Sequence, residues 1–449
     1  MSRTGIRFLG AKLRVGFVLA VLMVGTLLVG ADAQNQAQPV DTSTTTTSST
    51  FTSGIQVQNL SSTTANVLVT YYNPNGTTAA TQQFTVPGNG SYTVFGNSMS
   101  APAGFSGSVV VSADQPVAAI TNLLASNPTM GEAYDGVSST GVTNSTFVPL
   151  FQQGNGGYNT SIYIQNASSA SNNVTVTFNY NGTSTTQSFS LAANGSVTVD
   201  QTNDGLTGRI VGSATVSGSQ PIAVAVNQTN GATLFSYTGS SAGSPTLYAP
   251  LLMNNNGGYT TGLQVQNVGS QATTVSLYLN GGSTAVTTAS LNAGQSVTWY
   301  PIPGMTQKVE SGIVKSSNGQ PLLGAVNELN TATGQGMTYN TFGSGTSTVN
   351  MPLIMYNNSG YYTGEQIQNV GSQAATVNFE VNGQTVATQV IQPGQSYTWY
   401  GTNLIPGGGK VAGAEAVAQP GAQIVGIVNE ITGPQQPGDT SFAYEGFNQ

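Results

Sequence analysis

The stretch GYTTGLQVQNVGS, at Gly258–Ser270, decides the fold because the chain repeats it. Related stretches are GYYTGEQIQNVGS at Gly360–Ser372, GYNTSIYIQNASS at Gly157–Ser169 and, in a shorter form, FTSGIQVQNLSS at Phe51–Ser62. The Gln-Asn pair that all four share falls at Asn59, Asn166, Asn267 and Asn369, in steps of 107, 101 and 102 residues. A period of about 100 residues is the length of one whole sandwich domain and far exceeds a solenoid unit. The sequence therefore predicts four copies of one domain.

Apolar and polar residues alternate within each copy, which is the pattern of half-buried strands. In the motif strand of the third copy, Leu263, Val265 and Asn267 share one face, and Gln264 and Gln266 share the other. The other strands predicted in that copy are Tyr248–Met253, Thr274–Leu279, Val286–Leu291, Ser296–Tyr300, Val309–Lys315, Pro321–Leu329 and Met337–Phe342. Seven or eight short strands with Gly and Asn turns and no helical pattern predict an all-β, immunoglobulin-like sandwich. A closed barrel is the structural alternative.

The repeat landmarks place the four sandwich domains at residues 51–144, 145–245, 246–347 and 348–449. Copies two to four each open with an apolar strand that carries Pro-Leu, at Pro149, Pro250 and Pro352. The matching position of the first copy falls in the Thr/Ser-rich segment 34–50, so the first copy lacks an apolar first strand. We expect 34–50 to be a flexible tail and, as a hypothesis, to assemble subunits by strand exchange. A polar first strand of its own or a glycosylated stalk are the alternatives.

The N-terminus has the order of a secretory signal peptide, with basic residues from Arg3 to Arg14, an apolar run over residues 15–30, and Ala31-Asp32-Ala33. We expect cleavage after residue 33, although an uncleaved anchor is the alternative. The run is short for a membrane span, and no later run is longer, so we expect a secreted protein without a membrane span. The mature chain keeps four basic and 14 acidic residues, a net charge of −10. Nucleic-acid binding requires a basic surface and is not expected.

The composition also bears on catalysis, because the chain has no His and no Cys. The commonest general base and the thiol nucleophile are therefore missing, and we expect no enzyme, no cofactor and no metal site. One loop, DQTND, carries Asp200 and Asp204 and has the oxygen ligands that Ca²⁺ prefers. The remaining ligand spacing is absent, so a solvated turn is the better interpretation.

The pattern PLLMNNNGGYTTGLQVQNVGS followed by the hairpin sequence TVSLYLNGG resembles the tandem sandwich repeats of secreted or cell-surface proteins from Chloroflexota-type bacteria. The resemblance covers copies two to four well and the first copy in part. It implies a role in the envelope or outside the cell and brings no catalytic residues, because the matching positions are mainly turn and core residues.

Two kinds of aromatic residue recur at the end of the predicted strand Ser296–Tyr300 and of its counterparts in other copies. Trp299 and Trp399 are on the inward phase of the alternation and are expected in the core. Their outward neighbours are Phe95, Tyr300 and Tyr400, whereas the second copy has an aspartate there. These rings, together with Tyr362, are the candidates for contacts with surface glycans.

Lys410, Asn429 and Glu365 have the residue types of an intramolecular isopeptide bond assisted by a buried acid. Glu365 stands where the other copies have Ile or Leu, which predicts that it points inward. The alternative for Lys410 is an exposed charge on an edge strand, where lysine blocks unwanted pairing. N-glycosylation is a further candidate modification at the sequons of Asn75, Asn89, Asn159, Asn181 and Asn194.

These observations predict an extracellular, non-enzymatic structural protein in which four sandwiches form a rod. An uncharged surface rich in amides and hydroxyls favours self-association into a surface layer or a filament, because little charge must lose its water. The alternative function is an adhesin or carbohydrate-binding module that uses the exposed aromatics.

Overall fold

The computed structural model describes residues 16–20, 51–400, 404–405, 410–432 and 438–448. Within these ranges the chain is all-β, apart from a single-turn 3₁₀ helix at Gly96–Ser98. No described helix has the length and apolar character needed to cross a bilayer. The Thr/Ser-rich segment 34–50 and most of the predicted signal peptide lie outside the described residues.

Sixteen strands lie within residues 16–20 and 51–238. Those associated with repeat one are β1 (Gly16–Ala20), β2 (Phe51–Asn59), β3 (Ala65–Tyr72), β4 (Thr78–Val86), β5 (Ser91–Phe95), β6 (Ser108–Ala113), β7 (Val117–Ser126), β8 (Thr129–Asp135) and β9 (Val137–Ser138). Repeat two has β10 (Thr143–Gln153), β11 (Asn159–Asn166), β12 (Asn172–Tyr180), β13 (Thr183–Leu191), β14 (Ser196–Val199), β15 (Ile210–Thr229) and β16 (Leu234–Thr238).

The second half repeats this succession of strands. Repeat three has β17 (Thr246–Met253), β18 (Tyr259–Asn267), β19 (Thr273–Leu279), β20 (Thr287–Leu291), β21 (Ser296–Trp299), β22 (Val309–Ser316), β23 (Leu322–Asn330) and β24 (Gln335–Asn340). Repeat four has β25 (Thr348–Asn358), β26 (Tyr361–Asn369), β27 (Ala375–Val381), β28 (Gln384–Ile391), β29 (Ser396–Tyr400), β30 (Val411–Ala418), β31 (Ile424–Thr432), β32 (Phe442–Glu445) and β33 (Phe447–Asn448).

Repeat three shows the sheet order most simply. One sheet runs β17-β22-β19-β20 and the other β21-β18-β23-β24, all antiparallel. Both sheets are open and share one apolar cluster, so the strands are packed as layers and not as a barrel. The eight predicted strands are confirmed to within two residues. The order differs from that of an immunoglobulin constant domain, in which strands one, two, five and four share a sheet.

The motif asparagine is buried because it fastens a turn. Asn267 donates its Nδ2 to the carbonyl oxygens of Gln271, at 2.7 Å, and Leu291, at 3.2 Å. Its Oδ1 accepts a hydrogen bond from the N–H of Gly269 at 3.0 Å. The other three motif asparagines make corresponding bonds, and all four are fully buried. The inward position that the alternation predicts for this residue is therefore confirmed.

A tyrosine near the end of each repeat joins the last strand to the first. Tyr339 donates its hydroxyl to the carbonyl oxygen of Leu251 at 2.5 Å and accepts from the N–H of the same residue at 3.2 Å. Tyr237 and Tyr444 donate in the same way to Leu150 and Leu353, each at 2.5 Å. Tyr134 is the corresponding buried tyrosine of repeat one. Residues 51–138 contain no strand at the first-strand position beside this tyrosine.

The first-strand position of repeat one is filled from the N-terminal segment. Strand β1 pairs antiparallel with β6, as β10, β17 and β25 pair with β15, β22 and β30. It also pairs with β9. Residues of the predicted signal peptide thus supply the strand that repeat one lacks. Removal of the signal peptide would leave this edge of β6 without β1.

The repeats close into a ring, so the expected rod is wrong. Strand β8 of repeat one contacts both β16 of repeat two and β32 of repeat four, and β24 contacts the same two strands. Hydrogen bonds cross all four junctions: Ser196 N to Pro74 O (2.9 Å), Ser213 Oγ to Gly294 O (2.7 Å), Ser311 Oγ to Gly394 O (2.6 Å) and Asn122 Nδ2 to Glu430 Oε2 (3.2 Å). A rod would leave the first and last repeats apart.

Candidate functional site

The outer face of the motif strand is buried by the neighbouring repeat. Gln366 donates its Nε2 to Pro250 O of repeat three, at 3.2 Å, and to Ser396 Oγ, at 2.6 Å. Its Oε1 accepts a hydrogen bond from the hydroxyl of Thr398. Gln56 repeats this arrangement with Pro352, Ser91 and Thr93, and Gln264 is likewise held by Ser296 and Thr298. These glutamines therefore form a rigid polar floor at the junctions.

Above this floor lie three clefts, one at each of the junctions 2/3, 3/4 and 4/1. Their volumes are about 320, 480 and 300 Å³ respectively. The same thirteen repeat positions line all three. In the 2/3 cleft these positions are Leu150, Gln152, Asn155, Gly156, Tyr158, Val211 and Phe235 from repeat two, and Gly262, Gln264, Thr298, Tyr300, Asn327 and Leu329 from repeat three. The threefold repetition shows that the clefts are a built feature of the fold.

An exposed aromatic ring forms one wall of each cleft. Phe95, Tyr300 and Tyr400 are 49%, 50% and 57% exposed. Each ring lies over a glycine on the adjacent strand, since a Cβ built on Gly54 would lie 3.0 Å from the ring of Phe95 and one on Gly262 would lie 3.2 Å from that of Tyr300. The glycine thus leaves room for the ring to lie flat against the sheet.

An asparagine from the end of the same sheet borders each cleft and reaches the preceding repeat. Asn429 donates to Glu328 Oε2 at 2.7 Å, Asn122 to Glu430 Oε2 at 3.2 Å, and Asn327 to Gln228 Oε1 at 3.2 Å. The Oδ1 atoms of Asn429 and Asn122 are buried without a hydrogen-bond partner.

The junction between repeats one and two departs from this plan. Ser161 replaces the glycine, Tyr163 the glutamine and Asp200 the aromatic ring. On the side of repeat one, Leu123 stands where the other repeats have Gln228, Glu328 and Glu430. Leu123 and Tyr163 belong to an apolar cluster that spans the two repeats. At the positions equivalent to the clefts, this junction is therefore packed by apolar side chains.

The structure brings two of the three predicted contact tyrosines to equivalent sites. Tyr300 lines the 2/3 cleft and Tyr400 lines the 3/4 cleft. Tyr362 is 36% exposed and packs edge-on against Tyr356, with ring centroids 5.7 Å apart. Its neighbour Tyr361 lines the 4/1 cleft. The two tryptophans, predicted as core residues, are confirmed there: Trp299 and Trp399 are 7% and 6% exposed.

The predicted isopeptide residues lie in different surroundings. Glu365 is fully buried, as the alternation predicts, and burial raises the pKa of its carboxyl to about 7. Lys410 is exposed, and the side-chain amide of Asn429 donates to Glu328 in the next repeat. These contacts favour an exposed edge charge for Lys410.

The DQTND loop uses its carboxylates to fix its own turn. Asp200 Oδ1 accepts from the N–H and the hydroxyl of Thr202, at 2.9 and 2.6 Å. Asp204 Oδ1 accepts from the N–H of Leu206 at 2.8 Å. Within the described ranges no group of three or more acidic residues is placed to hold a metal ion.

The candidate glycosylation sites differ in exposure. Asn75, Asn89 and Asn181 are exposed, whereas Asn159 and Asn194 are half-buried. Asn89, Asn181 and Asn194 adopt a positive φ, which asparagine tolerates better than most residues. Their presence at these positions therefore has a backbone reason, whether or not a glycan is attached.

Acidic residues meet where the last strands of the four repeats converge. Asp439 accepts from Leu234 N at 2.7 Å and Gly336 N at 2.8 Å, and its own N–H donates to Thr129 O at 3.0 Å. This one residue of repeat four thus contacts each of the other three repeats. Glu132 Oε1 of repeat one accepts from Thr338 N of repeat three at 2.8 Å.

Burial raises the pKa of the carboxyl groups at this centre. The pKa rises to about 8 in Glu328, Glu430 and Asp439. The pKa of Glu132 rises well above its usual range because of burial and because Asp439, Glu328 and Glu430 lie near it. These groups are consequently held in their neutral form near neutral pH.

Sequence reasoning missed the clefts and the acidic centre because both are formed between repeats. A signal was present: glutamine recurs on the outer face of three motif strands, at Gln56, Gln264 and Gln366. A residue that recurs on a face expected to be solvated indicates a contact there. Glutamate following the recurrent asparagine, at Glu328 and Glu430, was a second signal.

No family model matches the chain, and no curated protein matches it. Among solved structures, Thermotoga maritima 1070 is similar over 22% of this chain and 92% of its own, at 15% identity and a TM-score of 0.19. An anti-sigma factor domain-containing protein is similar over 83% and 95%, at 8% identity and a TM-score of 0.14. Dimeric latent PorU from Porphyromonas gingivalis is similar over 74% and 32%, at 9% identity and a TM-score of 0.10. Likenesses this weak carry no argument about fold or function.

Proposed function

We propose that the mature protein is a secreted, non-enzymatic structural subunit of a bacterial surface layer or extracellular filament. It consists of four tandem β-sandwich domains closed into a ring, and it associates with further copies edge to edge. The N-terminal signal pattern supports secretion, and the lack of His and Cys supports a role without catalysis.

The observation that carries the proposal is the character of one sheet edge in each repeat. Strands β4, β13, β20 and β28 end their sheets, and none of them contains a charged residue. Natural proteins that stay monomeric usually protect such edges with lysine, proline or a covering segment. Four uncharged edges in one closed ring are suited to pairing with neighbouring molecules.

Lysine substitution at these edges tests the proposal. The equivalent exposed positions are Gln83, Ser188, Thr288 and Thr388. Residues 34–449 with all four changed to lysine should remain folded but lose higher-order assembly, because like charges would face each other across each edge. Sedimentation velocity and negative-stain microscopy measure the outcome.

A matched control carries the same added charge in the turns, at the exposed residues Ser62, Ser169, Ser270 and Ser372. It should assemble like the native protein. A native protein that is strictly monomeric at high concentration, or an edge variant that assembles normally, would refute the structural role.

A further inference from the structure

We propose that the three junction clefts are binding sites for a neutral saccharide, with one sugar ring placed on each of Phe95, Tyr300 and Tyr400. The inference rests on the extracellular location proposed above but not on self-association. It follows from three properties of the clefts: an exposed aromatic wall, unpartnered acceptors and an uncharged lining.

The aromatic wall is preserved wherever the cleft is present. Phe95, Tyr300 and Tyr400 occupy one repeat position, and each is about half exposed. Where the fourth junction is packed differently, the ring is replaced by Asp200 and its glycine by Ser161. The ring and the glycine therefore change together. A flat ring open to solvent offers an apolar face, which matches the C–H face of a pyranose.

The unpartnered acceptors call for a ligand with hydroxyl donors. Asn429, one of the residues that line the 3/4 cleft, is 9% exposed, and its Oδ1 is buried without a hydrogen-bond partner. Asn122, which lines the 4/1 cleft, has the same unpartnered buried atom. At the 2/3 cleft the equivalent Oδ1, on Asn327, accepts from the hydroxyl of Thr338 at 3.4 Å. A buried acceptor left unpaired is costly, and a sugar hydroxyl would satisfy it once the asparagine side chain turns toward the cleft.

The lining argues against a charged ligand. The 2/3 and 3/4 clefts are lined by apolar, amide, hydroxyl and glycine residues. The 4/1 cleft adds one acid, Glu430, which accepts from Asn122. An ion taken into such a site would lose water without gaining an opposite charge. A neutral ligand avoids that cost.

The volume and the number of the clefts indicate which kind of neutral saccharide would bind. The volumes, about 300 to 480 Å³, are at the lower end of ordinary ligand sites. Three equivalent sites on one rigid ring can engage one polymer at several points, which raises the overall affinity beyond that of a single site. The preferred ligand is thus a neutral polysaccharide and not a free monosaccharide.

Retention of purified residues 34–449 on insoluble neutral polysaccharides tests the proposal. Cellulose, chitin, xylan, mannan and starch serve as probes, with the anionic polymer alginate alongside them. We expect retention on at least one neutral probe and a loss of tenfold or more in affinity when Phe95, Tyr300 and Tyr400 are all changed to Ala, since each cleft would lose its apolar contact with a sugar face. Single changes should give smaller losses.

The control changes two exposed rings outside the clefts, Tyr92 and Tyr397, to Ala. It should bind like the native protein. No retention on any neutral probe, retention on alginate alone, or equal loss in the cleft variant and the control would overturn the proposal. Because binding is measured on dispersed protein, a failure here is distinct from a failure to assemble.

Discussion

Asn122 of repeat one donates its side-chain amide to Glu430 of repeat four, with Nδ2 and Oε2 3.2 Å apart. The two residues are 308 positions apart in the chain, and their contact joins its first and last repeats. The same pair of positions joins repeat three to repeat four, through Asn429 and Glu328. The junction that closes the ring therefore has the same chemistry as a junction between consecutive repeats.

Ring closure can be measured as a distance, because the chain has no cysteine and accepts introduced labels cleanly. We expect spin labels at Ser62 and Ser372, in repeats one and four, to be about as close as labels at Ser270 and Ser372, in repeats three and four. Double electron–electron resonance measures both pairs. A separation several-fold longer for the first pair would show that the chain is extended.

The second prediction concerns pH. Glu328, Glu430 and Asp439 have pKa values of about 8 in the folded protein, above the ordinary carboxyl range. The folded state keeps these protons up to about pH 8, whereas the unfolded chain releases them above about pH 4.5. Stability is therefore greatest in acid and falls as the pH rises through this window. Each unit of pKa difference corresponds to about 1.4 kcal/mol.

Urea unfolding at pH 5 and pH 8 measures this fall. Changing Glu328 and Glu430 to Gln should flatten the pH dependence of stability. Repeat two already has glutamine at this position, where Gln228 accepts a hydrogen bond from Asn327. Asp114→Asn is the control, because Asp114 is exposed and hydrogen bonds from Asn66 lower its pKa. An unchanged slope in the double variant would contradict the prediction.

The local sequence pattern was enough to predict the strands and the buried positions within a repeat. Alternation located the strands of repeat three and placed Trp299, Trp399 and Glu365 inside, because the period of a strand fixes which face a residue occupies. It could not supply the strand order. Pairing between distant strands depends on contacts that one repeat's pattern does not encode.

Only part of the candidate site could be predicted from the sequence, for a related reason. The outward position of Tyr300 and Tyr400 is a local property, but a cleft needs a second wall from the preceding repeat. Gln264 and Gln366 are polar yet buried, because the neighbouring repeat covers them and hydrogen bonds satisfy them. Polarity alone therefore does not indicate that they are buried.

The third prediction concerns the buried acid of repeat four. Glu365 occupies the position of Ile55, Ile162 and Leu263, all fully buried. Replacing it by Leu should stabilise the protein by about 1–4 kcal/mol at pH 8, because an apolar residue avoids the cost of burying a carboxyl. The gain should grow between pH 4.5 and 7, where the unfolded chain ionises but the folded carboxyl, with a pKa of about 7, does not.

Chemical unfolding of the Leu and Gln variants separates the effect of the carboxyl's titration from the effect of burying a polar group. Glu365→Gln removes the titration but keeps a polar group in the core, so it should lose the pH dependence without the full gain. A Leu variant less stable than the native protein at pH 8 would show that the Glu365 carboxyl stabilises the folded state.

The last prediction concerns the first strand of repeat one. Strand β1 pairs with β6 in the structure, so a mature chain that begins at residue 34 leaves this edge of β6 without β1. Residues 38–50 can be replaced, residue for residue, by a copy of 246–258, which contains strand β17 and its turn. The graft would pair with β6 and bring a carbonyl oxygen to Tyr134, as Leu251 does for Tyr339. We expect repeat one to gain on the order of 2–4 kcal/mol, because the strand buries several apolar side chains at the cost of ordering its backbone.

Limited proteolysis of residues 51–138 and thermal unfolding measure that gain. A control graft with Asn in place of the leucines equivalent to Leu251 and Leu252 should not stabilise, because both are buried in repeat three. If subunits join by strand exchange at this edge, the apolar graft should also abolish that association, since it fills the acceptor position within its own chain. Unchanged protease sensitivity of repeat one would show that the edge of β6 does not need a first strand.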